Sequence, residues 1–445
     1  MRSVMTWVLP FTFVFAVLLA DADNWSQFRG PLSNQLPDET QVPVEWSNDL
    51  NVQWKFKVPG RGWSSPIVWE DKVFVATAVK YEASPPQPND SDKQSDKGGR
   101  RSSSRDTVYR LELYCLEKST GEQLWKRLAF EGKPRTPTHS GNTYASETPV
   151  TDGERVYVYF GMMGVYCYDF SGNLVWQKDL GAYPMEGDWG TGSSPVLHGN
   201  HLYLQIDSED ESFLVALDTK TGEQQWRVSR DEPSNWSSPI IWKNTLRTEL
   251  VTAGQKVRSY DPHSGTVLWE LDMGGGRSCT SPVGDDGHLY VGNEERNGGG
   301  GFLFAVKAGA EGDITPKPGE STSDGVVWTQ PKSGLSMASP LLYQGLIYVF
   351  GRKRPVVNCY NAKTGEPIYK GTRVPGAKAF WASPWAYDGK VFGLDDTGTT
   401  HVLSAGSKFE VLAKNTIDDI FWASAAVSHG ALIFRGVDYV YCIQQ

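Results

Sequence analysis

The sequence predicts an all-β protein, an eight-bladed β-propeller with four-stranded antiparallel blades, and two observations support this prediction. First, a Ser-Pro or Thr-Pro strand start recurs along the chain at intervals of mostly 41–46 residues, which is the spacing of propeller blades. Second, a polar turn with a Gly recurs between these starts, and an aromatic residue follows that Gly four positions later. The repeat extends over residues 45–445 and predicts one closed domain.

The strand starts set the number of blades at eight. Each start precedes an apolar stretch, a turn and a second strand whose β-branched and aromatic content is typical of half-buried strands. Two intervals are longer because they contain insertions. The starts are Ser65-Pro66, Thr148-Pro149, Ser194-Pro195, Ser238-Pro239, Ser281-Pro282, Ser339-Pro340, Ser383-Pro384 and a degenerate Ser424-Ala425.

The polar turns predict how neighbouring blades pack. In the turn from Asp218 to Gly222 the carboxylate can bind backbone amides, and Gly can adopt the positive φ that a tight loop needs. The aromatic residue then has a fixed place on the outer strand, where we expect it to pack against the next blade. These aromatic residues are Trp125, Trp176, Trp226, Trp269 and Tyr369.

The last blade lacks an outer strand of its own, because the chain ends soon after Val440–Ile443. A spare strand, Val52–Phe56, precedes the first blade. We expect this N-terminal strand to pair with the C-terminal blade and close the ring, which removes open sheet edges.

Four of the five cysteines occupy one equivalent position of the repeat, which Ala or Ser fills in other blades. The position therefore favours a small residue, and we expect buried free thiols there. A disulfide between neighbouring blades is the alternative. No CxxC or HxxxH spacing indicates a metal site. The four are Cys115, Cys167, Cys359 and Cys442.

The N-terminus is typical of a cleaved signal peptide over residues 1–22. Arg2 precedes the apolar run Val8–Leu19, and Ala20-Asp21-Ala22 offers a cleavage site. No cysteine nearby provides a lipid attachment point, and no other apolar run is long enough to span a membrane. We therefore expect a periplasmic or secreted protein without a membrane span. Residues 23–44 are expected to dock on the propeller.

Composition indicates where the blades are interrupted. Residues 81–106 are rich in Pro, Ser, Asp and Lys and predict a disordered insertion in the first blade, and similar loops from Gly292 to Gly301 and from Gly309 to Asp324 interrupt the fifth. The net charge of −9 argues against a general nucleic-acid binder. We expect a monomer.

The repeat resembles a known family. Thr221-Gly222-Glu223 with Trp226 and the preceding Asp218 is similar to the repeat of the PQQ-like (quinoprotein alcohol dehydrogenase-like) propellers. It equally resembles the outer-membrane β-barrel assembly lipoprotein, which has this propeller without catalysis. The stretches 144–150 and 212–218 look like the exported PQQ-like propellers of planctomycetes. The resemblance implies either a non-catalytic propeller or an enzyme with pyrroloquinoline quinone (PQQ) and calcium.

The mouth of the central channel is the place where a propeller is expected to bind a ligand. The position three residues before each strand-start Pro is Trp in four of the eight blades, and indole faces there can stack a quinone or a sugar ring or else pack between blades. Charged residues in the same loops could bind a carboxylated quinone and a cation. The candidate cofactor-binding residues are Trp63, Glu147, Trp236, Arg277, Trp381 and Trp422.

Three functions are compatible with these features. The first is a non-catalytic extracytoplasmic scaffold that binds an envelope protein or a cell-surface polymer, and it requires no residue that the sequence lacks. The second is a PQQ-dependent oxidoreductase that acts on an alcohol or sugar, although the adjacent cysteines of those enzymes are absent. The third is a polysaccharide-docking domain. The sequence assigns no catalytic residue and no metal ligand.

Overall fold

The computed structural model describes residues 24–34, 36, 42–81, 107–294, 301–352 and 354–445. They form eight sheets in a ring, each built on four antiparallel strands, so the predicted eight-bladed propeller is confirmed. The expected signal peptide and residues 82–106 of the first insertion lie outside the described residues. Within the described ranges, no helix has the length and apolar character needed to cross a membrane.

Each blade begins with its inner strand. The first strand among the described residues, β1 (Val52–Lys57), belongs to the last blade. Blade 1 contains β2 (Ile67–Trp69), β3 (Lys72–Tyr81), β4 (Val108–Glu117) and β5 (Gln123–Gly132). Blade 2 contains β6 (Val150–Thr151), β7 (Arg155–Tyr159), β8 (Val165–Asp169) and β9 (Leu174–Lys178). Blade 3 contains β10 (Val196–His198), β11 (His201–Ile206), β12 (Ser212–Asp218) and β13 (Gln224–Arg230).

The second half of the ring follows the same order. Blade 4 contains β14 (Ile240–Lys243), β15 (Thr248–Thr252), β16 (Lys256–Tyr260) and β17 (Val267–Asp272). Blade 5 and its insertion contain β18 (Val283–Gly284), β19 (His288–Gly292), β20 (Leu303–Lys307), β21 (Gly312–Asp313) and β22 (Val326–Gln330). Blade 6 contains β23 (Leu341–Tyr343), β24 (Leu346–Phe350), β25 (Val356–Asn361) and β26 (Pro367–Arg373).

The ring ends with blades 7 and 8. Blade 7 contains β27 (Trp385–Tyr387), β28 (Lys390–Leu394), β29 (Thr399–Ser404) and β30 (Val411–Thr416). Blade 8 contains β31 (Ala426–Ser428), β32 (Ala431–Arg435) and β33 (Tyr439–Ile443), with β1 as its outer strand. Two short 3-10 helices, Gly161–Met163 and Glu186–Asp188, lie in connections.

Hydrogen bonds join the strand starts from blade to blade. The backbone N–H of Ser65 donates to the hydroxyl of Thr148 at 3.0 Å, and that of Ser194 donates to the hydroxyl of Ser238 at 2.9 Å. Such links, all 2.9–3.1 Å long, connect successive blades from the first to the eighth. We call these residues the hydroxyl belt: Ser65, Thr148, Ser194, Ser238, Ser281, Ser339, Ser383 and Ser424.

The outer-strand tryptophans join the blades at their periphery. The indole N–H of Trp176 donates to the carbonyl of Thr219 in the next blade at 2.9 Å. Its ring lies against Gly222, whose φ is +72° and where a Cβ atom would fall 2.6 Å from the indole. Trp125 and Trp226 pack on turn glycines of the following blade in the same way. The Gly-to-aromatic spacing therefore encodes contacts between blades.

The insertion from Gly309 to Asp324 is folded, contrary to the expectation from its composition. Its strand β21 pairs in parallel with β17 and adds a fifth strand to blade 4, and Ile314 is buried. Trp269 on β17 is consequently enclosed, and its indole N–H donates to Glu249 at 2.7 Å within its own blade. The Gly-rich and Pro-rich composition of this segment predicted a disordered loop. It gave no sign that the segment could pair with the outer edge of a blade.

The ring closes as predicted, with β1 antiparallel to β33. Trp54 on β1 donates its indole N–H to the carbonyl of Lys118 in blade 1 at 2.7 Å, and its ring packs on Gly121. The N-terminal strand therefore reproduces the outer strand of the other blades, including its tryptophan contact.

The four repeat cysteines are free and buried, as expected. Cys115 and Cys167 lie directly opposite Trp125 and Trp176 in the strand pairing, and Cys442 lies opposite Trp54. The large ring across the sheet explains why this position holds a small residue. Burial raises the pKa of each of these thiols to about 12, so they are uncharged at neutral pH.

The N-terminal segment, residues 24–34 and Leu36, crosses the inner strands. The backbone N–H of Trp25 donates to Val68 in blade 1 at 2.8 Å. Arg29 donates to the carbonyl of Pro340 in blade 6 at 2.6 Å, and the Asn34 side chain donates to that of Pro384 in blade 7 at 2.7 Å. Each of these acceptors lies one to three residues after the belt residue of its blade. The segment therefore covers one end of the channel.

Replacing a belt hydroxyl should destabilise the ring. In Ser194→Ala the buried N–H of Thr148 loses its acceptor, and we expect the free energy of unfolding to fall by about 1–3 kcal/mol. Urea unfolding followed by tryptophan fluorescence measures this change. Ser194→Thr keeps the hydroxyl group, as in blade 2, where Thr148 occupies the equivalent position. This variant should lose less stability than Ser194→Ala. Equal losses in both variants would contradict a role for the hydroxyl.

Removing the closure tryptophan should open the ring. Trp54→Ala deletes a buried indole and its hydrogen bond to blade 1, and we expect a loss of about 3–5 kcal/mol. Hydrogen exchange should show the loss first in β1 and β33. The neighbouring exposed Gln53→Ala provides the control. A Trp54→Ala protein that unfolds like this control would show that closure does not limit stability.

Candidate functional site at the channel mouth

A cavity of about 480 Å³ lies at the end of the channel opposite the N-terminal segment. The residue three positions before the strand-start Pro contributes to its lining in all eight blades, because the belt holds these equivalent residues at one level around the axis. This set includes four of the six predicted site residues. The eight lining residues are Trp63, Ser146, Gly192, Trp236, Cys279, Met337, Trp381 and Trp422.

Three tryptophans from adjacent blades form one wall of the cavity, which we call the tryptophan stack. Trp63 stacks on Trp422 with ring centroids 4.6 Å apart, and Trp422 stacks on Trp381 at 4.0 Å with ring planes only 7° apart. The guanidinium of Arg352 covers the ring of Trp381 at 4.5 Å from its centroid. The inner indole faces are therefore occupied by one another and by an arginine.

A second aromatic wall faces the stack from across the axis. Trp236 belongs to blade 4, half a turn round the ring from blade 8, and its indole N–H donates to the carbonyl of Gly190 at 2.7 Å. Trp189 lies beside it in the lining, stacks on His139 at 3.9 Å and is 39% exposed. The fixed indole of Trp236 and the accessible one of Trp189 leave aromatic surface open to a ligand.

Polar side chains supply the hydrogen-bonding groups of the cavity. Arg352 lies 3.9 Å from Glu294, and the Asn142 amide bonds the carbonyls of Trp189 and Thr191. None of these groups was predicted from the sequence. Glu294 and Arg352 have a shared signal, because each lies two residues after the second strand of its blade.

Two predicted site residues lie outside the lining. Arg277 lies at the edge of the cavity and packs on Trp236, with its guanidinium 5.6 Å from the centroid of that ring. It forms ion pairs with Glu186 and, at 3.8 Å, with Glu209, which offset its charge. The structure therefore places Arg277 as a support for Trp236 at the rim.

Glu147 lies behind the cavity wall and is 1% exposed. Neither carboxylate oxygen makes a hydrogen bond of good geometry with a described residue, although the Thr191 hydroxyl lies nearby. Burial raises the pKa of Glu147 from 4.5 to about 7, and the nearby Thr191 hydroxyl and backbone amides oppose only part of this rise. Glu147 is thus a buried acid that exchanges its proton near neutral pH.

Sequence and structure comparisons show which known proteins this chain is similar to. Residues 110–246 match the family described as outer membrane protein assembly factor BamB. BamB from Moraxella catarrhalis has a TM-score of 0.51 and 13% identity, with 78% of this chain and 99% of that chain covered. Quinohemoprotein alcohol dehydrogenase from Comamonas testosteroni has a TM-score of 0.60 and 12% identity, with 97% and 82% covered.

A curated relative matches part of the chain. Tetrathionate hydrolase from Acidithiobacillus ferrooxidans is 23% identical over 237 residues, which cover 47% of this chain and 43% of the relative. The match therefore spans less than half of either protein.

The fold and the cavity define a class, an eight-bladed β-propeller with a ligand-sized site at one mouth. Within that class the chain is similar to PQQ-like β-propellers, because residues 110–246 match the BamB family and the two solved structures share the fold. At these identities the likeness to solved structures establishes the fold and leaves the role of the site to its residues.

The cavity does not fit a carboxylated quinone with a bound calcium ion. The tryptophan stack uses the faces of its own rings, and Arg352, the cation in the lining, lies beside Glu294 and over Trp381. Among the described residues, no group of three or more His, Cys, Asp or Glu side chains could hold a metal ion. The buried Glu147 lies outside the lining of the cavity.

The buried Glu147 should make stability depend on pH. Its pKa is raised in the folded state, so stability should fall as the pH rises from about 4.5 to 7. Glu147→Gln carries no charge and should be more stable than the parent at pH 8 by up to about 3 kcal/mol, with little difference at pH 4. Unfolding in urea across pH 4–8 measures this.

Glu249→Gln is the matched control. Glu249 is also fully buried, but it pairs with Arg247 at 2.9 Å and accepts bonds from Ser259 and Trp269. Its replacement should destabilise the protein at pH 8 as well as at pH 5. A Glu147→Gln protein that loses stability at pH 8 would show that the folded protein uses the charged carboxylate.

Proposed function

We propose that this protein is a non-catalytic, extracytoplasmic binding propeller that holds a carbohydrate chain of the cell envelope at its channel mouth. The observation that carries the proposal is the cavity of about 480 Å³, in which Trp189 and Trp236 offer aromatic surface opposite the tryptophan stack. Its volume lies within the range of small-ligand sites, about 300–1,000 Å³, whereas protein partners usually need a far larger and flatter surface.

The aromatic groups support a sugar ligand. A pyranose ring presents C–H groups on its faces and hydroxyls at its edge, so it packs on an indole face while its edge forms hydrogen bonds. Trp189 is exposed, and Trp236 is held in place by its bond to Gly190. A fixed ring loses little conformational entropy when a ligand packs on it.

The polar groups support the same ligand class. Glu294 accepts hydrogen bonds, Arg352 donates them, and the Ser146 hydroxyl can do either. Such a mixture suits the alternating donors and acceptors of sugar hydroxyls. A chain also suits an open mouth, because one or two rings can enter while the remainder extends over the surrounding loops.

The second candidate, a PQQ-dependent oxidoreductase, has support from the solved dehydrogenase with this fold. The residues of the cavity favour it less, since those described include no cluster of three or more His, Cys, Asp or Glu side chains for a metal ion and little free cationic charge. The structure of BamB, named as an assembly factor, supports a binding role in the same fold.

A glycan array with bacterial envelope oligosaccharides, followed by calorimetric titration of the retained ones, tests the proposal. We expect saturable binding that Trp189→Ala and Trp236→Ala weaken at least tenfold. Trp189→Phe keeps an aromatic face and should bind nearly as the parent does. Leu246→Ala removes an exposed apolar side chain elsewhere and should leave affinity unchanged.

PQQ with calcium, titrated into the same protein, separates the two candidates. The proposal expects no saturable change in absorbance or fluorescence. Saturable PQQ binding that Trp236→Ala abolishes, together with an empty glycan array, would replace the proposed function by the oxidoreductase.

A further inference from the structure

The far end of the channel contains a buried arginine that the proposed function does not use. Arg29 lies in the N-terminal segment, is 2% exposed and donates through its terminal nitrogens to the carbonyls of Pro282 at 3.1 Å and Pro340 at 2.6 Å. These acceptors belong to blades 5 and 6. The guanidinium is therefore fixed against the inner strands, beneath the hydroxyl belt.

The charge of Arg29 has no acidic partner within ion-pair distance in the described part of the chain. Burial alone lowers its pKa to about 9. The buried Arg230 differs, because it lies 2.8 Å from Asp207, and Arg258 pairs with Glu232 at 2.7 Å. A buried charge without a counter-charge is costly, and backbone carbonyls compensate only part of that cost.

A small cavity of about 40 Å³ adjoins this arginine, between the N-terminal segment and blades 3 to 5. Arg29, Ser238 and Ser281 contribute to its lining, together with apolar groups such as Ile240. The volume exceeds the roughly 10–15 Å³ that one water molecule needs, so a single atomic ion fits.

Three unused donors belong to these lining side chains. The Nε–H of Arg29 has no hydrogen-bond partner in the described residues. The hydroxyls of Ser238 and Ser281 accept the belt N–H groups of Ser194 and Ser238, and no described residue accepts their own protons. One positive charge and three free donors on the side chains that line a small cavity are the chemistry of an anion site.

We propose that this cavity binds one small monovalent anion, chloride, as the counter-ion of Arg29. The ion would fasten the N-terminal segment to blades 3 to 5, where few other polar contacts hold it. The inference is independent of the ligand at the opposite mouth.

Thermal unfolding at constant ionic strength tests the proposal, with sodium chloride exchanged for sodium gluconate, whose anion is too large for the cavity. Chloride should raise the midpoint in a saturable manner. Arg29→Met removes the charge and should abolish the dependence. A midpoint identical in the two salts for the parent protein would overturn the proposal.

A matched pair of belt variants separates the ion from general stability. Ser194→Ala and Ser238→Ala each remove one belt hydroxyl, but only Ser238 lines the cavity. Ser238→Ala should need at least tenfold more chloride for half of the effect, and Ser194→Ala should respond as the parent does. An equal response in both variants would contradict the assigned site.

Crystals soaked in sodium bromide give a direct readout that does not depend on any variant folding. An anomalous difference peak beside Arg29 Nε is expected. The absence of a peak there, in crystals that show bromide elsewhere, would mean that water fills the cavity.

Discussion

The hydroxyl belt is the interaction on which the geometry of this protein depends. Each link places the backbone of one blade against the side chain of the next, at nearly constant length. The links lie around the axis, where the inner strands crowd together and water has no access, so an unpaired N–H would be costly there. The residue two positions before each belt residue therefore lies at the same level of the channel in every blade. The site at one mouth and the buried arginine beneath the belt both follow from this ring.

Most of the fold was predictable because each blade repeats the same pattern of residues and contacts. A Ser or Thr before Pro, a small residue opposite an aromatic one and a Gly beneath a neighbouring indole are local requirements, and each leaves a mark in the sequence. The parallel strand β21 was not predictable in this way. It uses the edge of one blade and residues of the next blade's insertion, and no periodic pattern marks such a pairing.

The candidate site was predictable in part for the same reason. Trp63, Trp236, Trp381 and Trp422 occupy a repeat position, so their convergence follows from the ring. The positions of Glu147 and Arg277 relative to the cavity depend on side-chain orientation, which the repeat does not determine. The Glu147 side chain is buried in the interior, and the Arg277 side chain pairs with Glu186 at the rim. Arg352 comes from a loop at a different repeat position, so reading one position around the ring could not find it.

The pairing of β1 with β33 has a consequence for how the chain reaches its final form. The strand β1 has no partner until β33 exists, so until then the chain is an arc with two unsatisfied edges. Contacts between such distant segments form slowly, and open edges favour association with other chains. The open arc is therefore more prone than the closed ring to associate with other copies of itself, and the pairing of β1 with β33 removes both adhesive edges at once.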